Sequence, residues 1–493
     1  MTEIEPRDVS IGSEALSGGI ARGVLLLIGF LGSIVFARVL GATEFGAFYL
    51  LVTLENVVDR PIIGFAQAVK KRLSESQTDP SELLGAFLIG FAGFSLLIVI
   101  IASVWKSWIT SYVQRGDALF LFLVLFLTLS AQEAFSTLLG ATGRLGIVNW
   151  VDALRSLLTT PAQLLFVLTG FGVIGMTAGL TGASLAASFL LYYILHIKPT
   201  VPRREVFSSL FDYAKYSIPS SVVSFSYDRI GLIIIGLYLG PKISGYFEAA
   251  LKLTIPALVV GMVAAGVLMP KVSQMSSQGE ELSQEVDNVL SYSSIFAIPI
   301  LFGCLAIADK IVITIYGGDF APAGKFLVGL AFYRFMDTRT KPLLNTLRGV
   351  DRPDLDLYSN VSAFVTLLVV GVPALHQFGA MGMLAGMICA ICTQFLIATI
   401  YIRKEVESVS HLSRPFISQI VAGIVMFVSI TVLSDIFRLS PWYRVFILIG
   451  TGATIYFVTV LAISGQTRRT VSFVLRDFVK EKVRLPDKLS SDT

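Results

Sequence analysis

The chain has 493 residues, of which 54% are hydrophobic and 15% charged, with a mean hydropathy of +0.76. Its charges gather in short gaps between apolar runs about 20 residues long, the length of a bilayer-spanning helix; this excludes a soluble fold and leaves no room for a sizeable soluble domain. The net charge of +4 does not point to nucleic acid, because the basic excess lies in one class of loop, and three cysteines give no disulfide framework.

Residues 1–13 carry more acid than base and lack the basic segment and cleavage site of a signal peptide, so a retained cytoplasmic N-terminus is expected. About fourteen spanning helices follow, expected near 14–37, 44–67, 82–104, 118–140, 146–169, 173–196, 215–239, 244–268, 288–308, 322–346, 356–374, 379–402, 415–437 and 442–464. One set of alternate loops holds Lys70, Lys71, Arg72, Arg144, Lys198, Arg203, Arg204, Lys271, Arg348, Arg352, Arg403, Lys404 and Arg414. The opposite set holds only Lys106, Arg115, Lys242, Lys310, Lys325, Arg438 and Arg444. The positive-inside rule then puts both termini in the cytoplasm. In the basic tail, 465–493, Val471, Val474, Leu475 and Phe478 recur at helical spacing, which suits either a helix lying on the anionic inner leaflet or a solvated tail that fixes topology.

The junction of the first two spans reads LGATEFGAF (40–48) and that of the seventh and eighth LGPKISGYF (239–247). Both are L-G-x-x-x-x-G-x-F at an offset of 199 residues, and each is expected to be a tight external turn made by glycine. A weaker echo links LLGATGR (138–144) to TLRGVDR (346–352). The pattern divides the chain into six helices over 14–196, a cytoplasmic linker over 197–214, six helices over 215–402 and an added pair over 415–464. Parallel repeats of this kind occur in secondary transporters, with substrate held where the halves meet.

Inside the apolar runs sit Arg22, Glu55, Asp59, Arg60, Asp152, Arg155, Asp228, Arg229, Glu248, Lys252, Arg334, Asp337 and Arg339. An ionised side chain in hydrocarbon costs at least roughly 2.5–3.5 kcal/mol, so such residues face a bundle interior or a wet cavity. Some can neutralise each other: Glu248 and Lys252 are i,i+4, and Asp152/Arg155 and Arg334/Asp337 are i,i+3. Arg60 and Arg229 each follow an aspartate, and adjacent helical residues point about 100° apart, so one of each pair can face a cavity and the other a neighbouring helix. Glu55 and Asp59 are acids at i,i+4 on one face. They repel unless a proton or Na⁺ lies between them, which makes them candidates for a coupling-cation site; a salt bridge to Arg60 or to another helix is the other reading. At the offset of 199, Arg22, Asp59 and Arg229 have no charged counterpart, so the turns are duplicated and the charges are not.

FARVLGATEFGAF, the run YDRIGLIIIGLYLG and the corner NTLRGVDRP resemble the polysaccharide (O-antigen type) flippases. These belong to the superfamily that also holds multidrug-and-toxin exporters and lipid II flippases. The resemblance implies an all-α polytopic membrane protein of two pseudo-symmetric six-helix lobes plus two C-terminal helices, a V-shaped alternating-access transporter. It also implies a polyisoprenyl- or dolichyl-(pyro)phosphate-linked glycan as substrate, carried from the cytoplasmic to the external leaflet for surface polysaccharide or N-glycan assembly. Members carry cationic cavities suited to a lipid phosphate; the matching positions are Arg22, Arg60, Arg229, Lys252, Arg334 and Arg339. Other expected partners are membrane lipids and glycan assembly enzymes, with the protein acting as a monomer and without a cofactor beyond a coupling H⁺ or Na⁺.

Other motifs fail on context. Gly170, Gly172 and Gly175 fit G-x-G-x-x-G, but no β-α-β unit surrounds them. Asp354 and Asp356 form a D-x-D at a helix start, where acids favour the helix N-terminus. Cys389 and Cys392 lie within an apolar span, the three histidines are isolated, and no P-loop is present. A drug or cation antiporter would want an acidic cavity. A glycan polymerase, ligase or glycosyltransferase would want a long external loop or a nucleotide-sugar domain.

Overall fold

A computed structural model of the chain describes residues 11–74, 79–406, 409, 412–436, 442–469 and 472, with side chains described at these except 11–27, 74, 145, 216, 220, 222–228, 260, 262–267, 269, 270, 277, 435, 436 and 442. Residues 1–10 of the expected N-terminal segment 1–13, most of the tail 465–493 and the side chain of Arg22 therefore lie outside the described residues, and 11–13 already belong to the first helix. The described regular structure is helical: α1 (Ile11–Val58), α2 (Arg60–Ser74), α3 (Pro80–Val104), α4 (Lys106–Val113), α5 (Ala118–Ala141), α6 (Leu145–Leu168), α7 (Gly172–Leu195), α8 (Arg204–Leu253), α9 (Val259–Gln278), α10 (Ser283–Tyr292), α11 (Ala297–Tyr316), α12 (Gly324–Gly349), α13 (Pro353–Thr366), α14 (Val372–Phe378), α15 (Ala380–Glu405), α16 (Arg414–Ile436) and α17 (Trp442–Ile463).

Among the described residues, eleven helical segments are long and apolar enough to cross a membrane. The fourteen spans expected from sequence count both halves of α1 with α2, and of α8 with α9, as separate crossings. They also include 322–346, whose charges keep it from qualifying by apolarity. The halves are real: α1 contains Gly41 at φ 69° and α8 contains Gly240 at φ 76°, so each is two helices joined at a kink. These glycines are the first of the two repeat motifs, and positive φ is the backbone state that glycine adopts without a Cβ penalty.

The chain divides into two compact units, Met1–Ile255 with Ile315–Gly329 and Asn360–Thr393, and Pro256–Thr314 with Leu330–Ser359 and Gln394–Thr493. In the first, α1 packs along α8 at the repeat motifs. A Cβ on Gly46 would lie 1.8 Å from the Pro241 carbonyl oxygen, and one on Gly245 would lie 1.9 Å from that of Ala42. The second glycine of each motif thus lets the two copies touch backbone to backbone. The motif aromatics Phe48 and Phe247 are buried beside this crossing sequence, as are Phe45 and Phe320, whose rings meet edge-on at 6.3 Å. The connector before α8 is fastened to α3: the Thr200 amide donates to the Ser81 carbonyl at 3.0 Å, and Arg203 Nε donates to Glu82 at 3.0 Å. On the external side foreseen for 104–118, Arg115 donates to Asp117 at 2.9 and 2.8 Å and reaches Glu44 at 3.3 Å. The hydrogen bonds from Arg115 hold the Asp117 carboxyl below the usual carboxylate range.

The second unit has two apolar cores. Leu268, Val272, Leu290, Leu343, Leu347 and Ile402 form one, and Ile298, Phe416, Met426, Leu448 and Tyr456 are in the other. The acids of the D-x-D are ion-paired, Asp354 with Arg352 at 3.0 Å and Asp356 with Arg348 at 2.9 Å, and Arg352 also pairs with Glu405.

Candidate functional site

Among the described residues, three clusters of intramembrane charge stand out, two in the first unit and one in the second. In the first unit, Lys252 lies in the last turn of α8 and pairs with Glu248, one turn earlier, at 3.2 Å. Its Nζ sits 4.5 Å from the centroid of the Tyr49 ring on α1, a cation–π contact that helps hold an ammonium out of water. The Tyr316 hydroxyl donates to the Ala249 carbonyl at 3.1 Å and fixes this stretch of α8. Arg229, on the other half of α8, is close enough for its charge to act on both Lys252 and Tyr49. It is half-buried, and among the described residues it has no ion-pair partner. Glu248 is 1% exposed, and one carboxylate oxygen is buried without a hydrogen-bond partner. Among the described residues, Lys252 and the nearby Arg229 outnumber the one carboxylate of this cluster.

The second cluster is acidic. α1 ends at Val58 and α2 begins at Arg60, with Asp59 in a turn between them. Helical hydrogen bonds run through this turn, from the Asp59 amide to the Glu55 carbonyl at 2.9 Å and from the Ile63 amide to the Asp59 carbonyl at 3.2 Å, and the long Arg60 side chain reaches back to Asp59, which is the salt bridge given above as the other reading. Arg60 Nε and Nη2 donate to the two Asp59 oxygens at 2.7 and 3.0 Å. Nη2 also reaches Glu133 on α5 at 3.2 Å, and Nε donates to the Asn56 carbonyl at 2.8 Å. Arg60 is thus held by carboxylates rather than presented alone. Glu55 lies one turn before Asp59, is 1% exposed, and has a buried Oε1 without a partner among the described residues. Three carboxylates here share one guanidinium.

In the second unit, Asp337 on α12 is shared by Arg334 at 3.3 Å and Lys341 at 3.0 Å. At 3.6 residues per turn, positions 334, 337 and 341 fall on one face and 339 about 140° away. Arg339 is accordingly buried on the opposite side, where it donates to the Leu290 carbonyl at 2.7 Å and lies 4.1 Å from the Phe416 ring centroid. It ties α12 to α10 and α16 and is not available to a ligand in this arrangement. Asp152 and Arg155 pair at 2.9 Å, as their spacing suggested.

Sequence reasoning therefore foresaw the pairs made within one helix and missed Glu133, Lys341 and Tyr49. Glu133 and Lys341 carried a readable signal, each being a charge within or beside an apolar run. Tyr49 carried none, because its relation to Lys252 exists only through the packing of α1 on α8. Among the described residues, no three His, Cys, Asp or Glu side chains converge so as to hold a metal ion.

The helical architecture and its buried charges define a multi-pass membrane transporter. The fold matches the lipid II flippase MurJ in an inward closed conformation with a TM-score of 0.75 at 15% identity, over 91% of this chain and 98% of that one. It also matches an inward-facing multidrug resistance MATE transporter of the MOP superfamily with a TM-score of 0.61 at 14% identity, over 79% of this chain and 100% of that one. The chain belongs to the polysaccharide biosynthesis protein family, which it matches over residues 35–324. It is 30% identical over 368 residues to the probable low-salt glycan biosynthesis flippase Agl15 of Haloferax volcanii, covering 72% of this chain and 75% of the relative. The probable flippase AglR of the same organism is 23% identical over 91% of this chain and 95% of that protein. Relatives named as flippases and a transporter fold support a transporter rather than an enzyme.

Proposed function

We propose that the protein carries a polyisoprenyl- or dolichyl-(pyro)phosphate-linked sugar or oligosaccharide from the cytoplasmic to the external leaflet of the cell membrane, for surface polysaccharide or N-glycan assembly. The observation that carries this reading is the sign of the charge in one cluster of each unit: Arg229 and Lys252 beside Glu248, and Arg334 and Lys341 against Asp337. An anionic phosphate balances such a surplus, and guanidinium groups bind it through paired, charge-assisted hydrogen bonds. An exporter of cationic drugs would need the opposite sign at these positions. The relative named as a probable low-salt glycan biosynthesis flippase supports the same substrate class. Arg22 joins this set by its sequence position. The loop charges support cytoplasmic termini, membrane lipids and glycan assembly enzymes are its neighbours, and the monomer is the working unit.

Deleting the gene tests the reading in the cell. The expected result is a lipid-linked glycan that accumulates on the cytoplasmic side and is cleared by the wild-type gene. Unchanged lipid-linked pools with normal surface glycans would contradict it.

A further inference from the structure

We propose that the first unit carries a binding site for a phospholipid with an anionic head group. It lies at the ends of α2, α3, α5 and α7, on the side that the loop charges assign to the cytoplasm. The site does not depend on the flippase reading, because its lipid is a resident and not the cargo.

A hollow of about 200 Å³, open mouth included, lies where these helix ends meet. Leu73, Leu84, Leu138 and Leu195 line it, one from each helix, and Ile197 of the connector before α8 completes it. It is smaller than the roughly 300–1,000 Å³ of a small-molecule pocket, so it seats a few carbons of a chain rather than a whole ligand. At the level of the lipid, a chain settles in such a hollow for packing contacts that an empty hollow forgoes.

Two cations flank the lining residues. Arg144 Nη1 donates to the Ile194 carbonyl at 3.1 Å, one residue before Leu195, and Lys198 directly follows Ile197. Both are exposed, and neither has an ion-pair partner among the described residues. Two carboxylates close by are already engaged. Asp79 accepts from the Ser81 amide at 2.9 Å at the start of α3, and Glu82 accepts from Arg203 at 3.0 Å. An anion therefore finds open donors here, a guanidinium that can grip a phosphate through paired N–H groups and a lysine that adds a point charge. Basic sites between helices on the cytoplasmic side of membrane proteins bind lipid head groups in this way.

The connector has the character of an interfacial segment as well. Val201 is 88% exposed and Phe211 70% exposed, with Arg203 and Arg204 between them in the chain. Apolar side chains set among bases suit the boundary between head groups and acyl chains. Carbon in the hollow and charge at its edge is the order of groups in a phospholipid. A free phosphate would leave the hollow empty. The elements that line the hollow are also not those that carry Arg229, Lys252, Arg334 and Lys341, which sit on α8 and α12. A lipid held here leaves both cationic clusters to the substrate.

The test is native mass spectrometry of the full-length protein titrated with phosphatidylglycerol or with phosphatidylcholine. Wild type is expected to retain one phosphatidylglycerol in preference to phosphatidylcholine. Arg144→Gln/Lys198→Gln should weaken that binding by about fivefold for each cation lost, or about 25-fold together. Ile197→Trp fills the hollow without touching a charge and should also release the lipid. Arg403→Gln/Lys404→Gln removes two exposed cations from the end of α15 and should leave the affinity within about twofold of wild type. Equal losses in the two double variants would show general attraction to a basic surface and overturn the proposal. So would an Ile197→Trp protein that holds the lipid as wild type does. Displacement of the phosphatidylglycerol by an equimolar polyprenyl phosphate would assign the site to the cargo and overturn it too.

Discussion

Arg229 and Arg339 are both arginines in apolar helices, and their surroundings give them different work. Arg339 donates to the Leu290 carbonyl and lies on Phe416, so Arg339→Leu removes a charge-assisted hydrogen bond and leaves that carbonyl only the longer bond from the Ser293 hydroxyl at 3.4 Å. The expected loss is about 1.5–3 kcal/mol of stability, read as a lower melting temperature, with flipping falling only as folded protein is lost. Arg229→Ala removes a cation that has no ion-pair partner among the described residues. Its stability is expected to stay within about 0.5 kcal/mol of wild type, read as a nearly unchanged melting temperature, while flipping falls. Equal effects of the two variants on both readouts would refute the distinction. At this scale the sequence was legible wherever partners lie on one helix, as for Glu248/Lys252 and Arg334/Asp337. It was silent for Arg60 and Glu133, which are 73 residues apart in the chain and meet only through packing of α2 on α5.

The kinked helices α1 and α8 carry the repeat, and their glycines divide into two physical roles. Gly41 and Gly240 occupy positive φ, a backbone state costly for other residues. Gly46 and Gly245 are where the copies cross, with no space for a Cβ on either. Gly245→Ala must push the backbones apart and is expected to cost about 1–3 kcal/mol or more, seen as loss of monodisperse protein in detergent. Gly29→Ala is the control: a Cβ there meets nothing within 4 Å, so stability should hold or rise. A Gly245→Ala protein as stable as the control would show that the crossing is looser than described. The repeat and its turning glycines were legible as a spacing. The crossing was not, because a small residue that turns and a small residue that packs look alike in sequence. Outside the spans, Arg115 binds Asp117 and Glu44 and so links the α5 entry to α1. Asp117 has its acidity raised by these bonds, so its contribution is complete above the unfolded carboxylate value near about 3.9 and is lost as pH falls below it. Melting temperature is expected to drop more steeply below about pH 4 in wild type than in Asp117→Asn; parallel curves would show that the pair adds nothing.

The whole chain combines an apolar helical body with clusters of opposite sign, two cationic and one acidic. Hydropathy made the membrane class legible because the bilayer demands long apolar helices whatever the function. The repeat and the resemblance gave the transporter class, which the fold and the family bear out. The substrate reading rests on the cationic surplus of one cluster in each unit, and that surplus can be reversed. The direct measurement is the rate at which purified protein in proteoliposomes flips a fluorescent polyprenyl-phosphate sugar, comparing wild type with Arg229→Glu/Arg334→Glu. Each lost charge-assisted contact contributes about 1.5–3 kcal/mol, so the double variant should flip at least about tenfold more slowly per folded protein. An undiminished rate in a folded double variant would contradict the claim that these cations carry the anionic lipid.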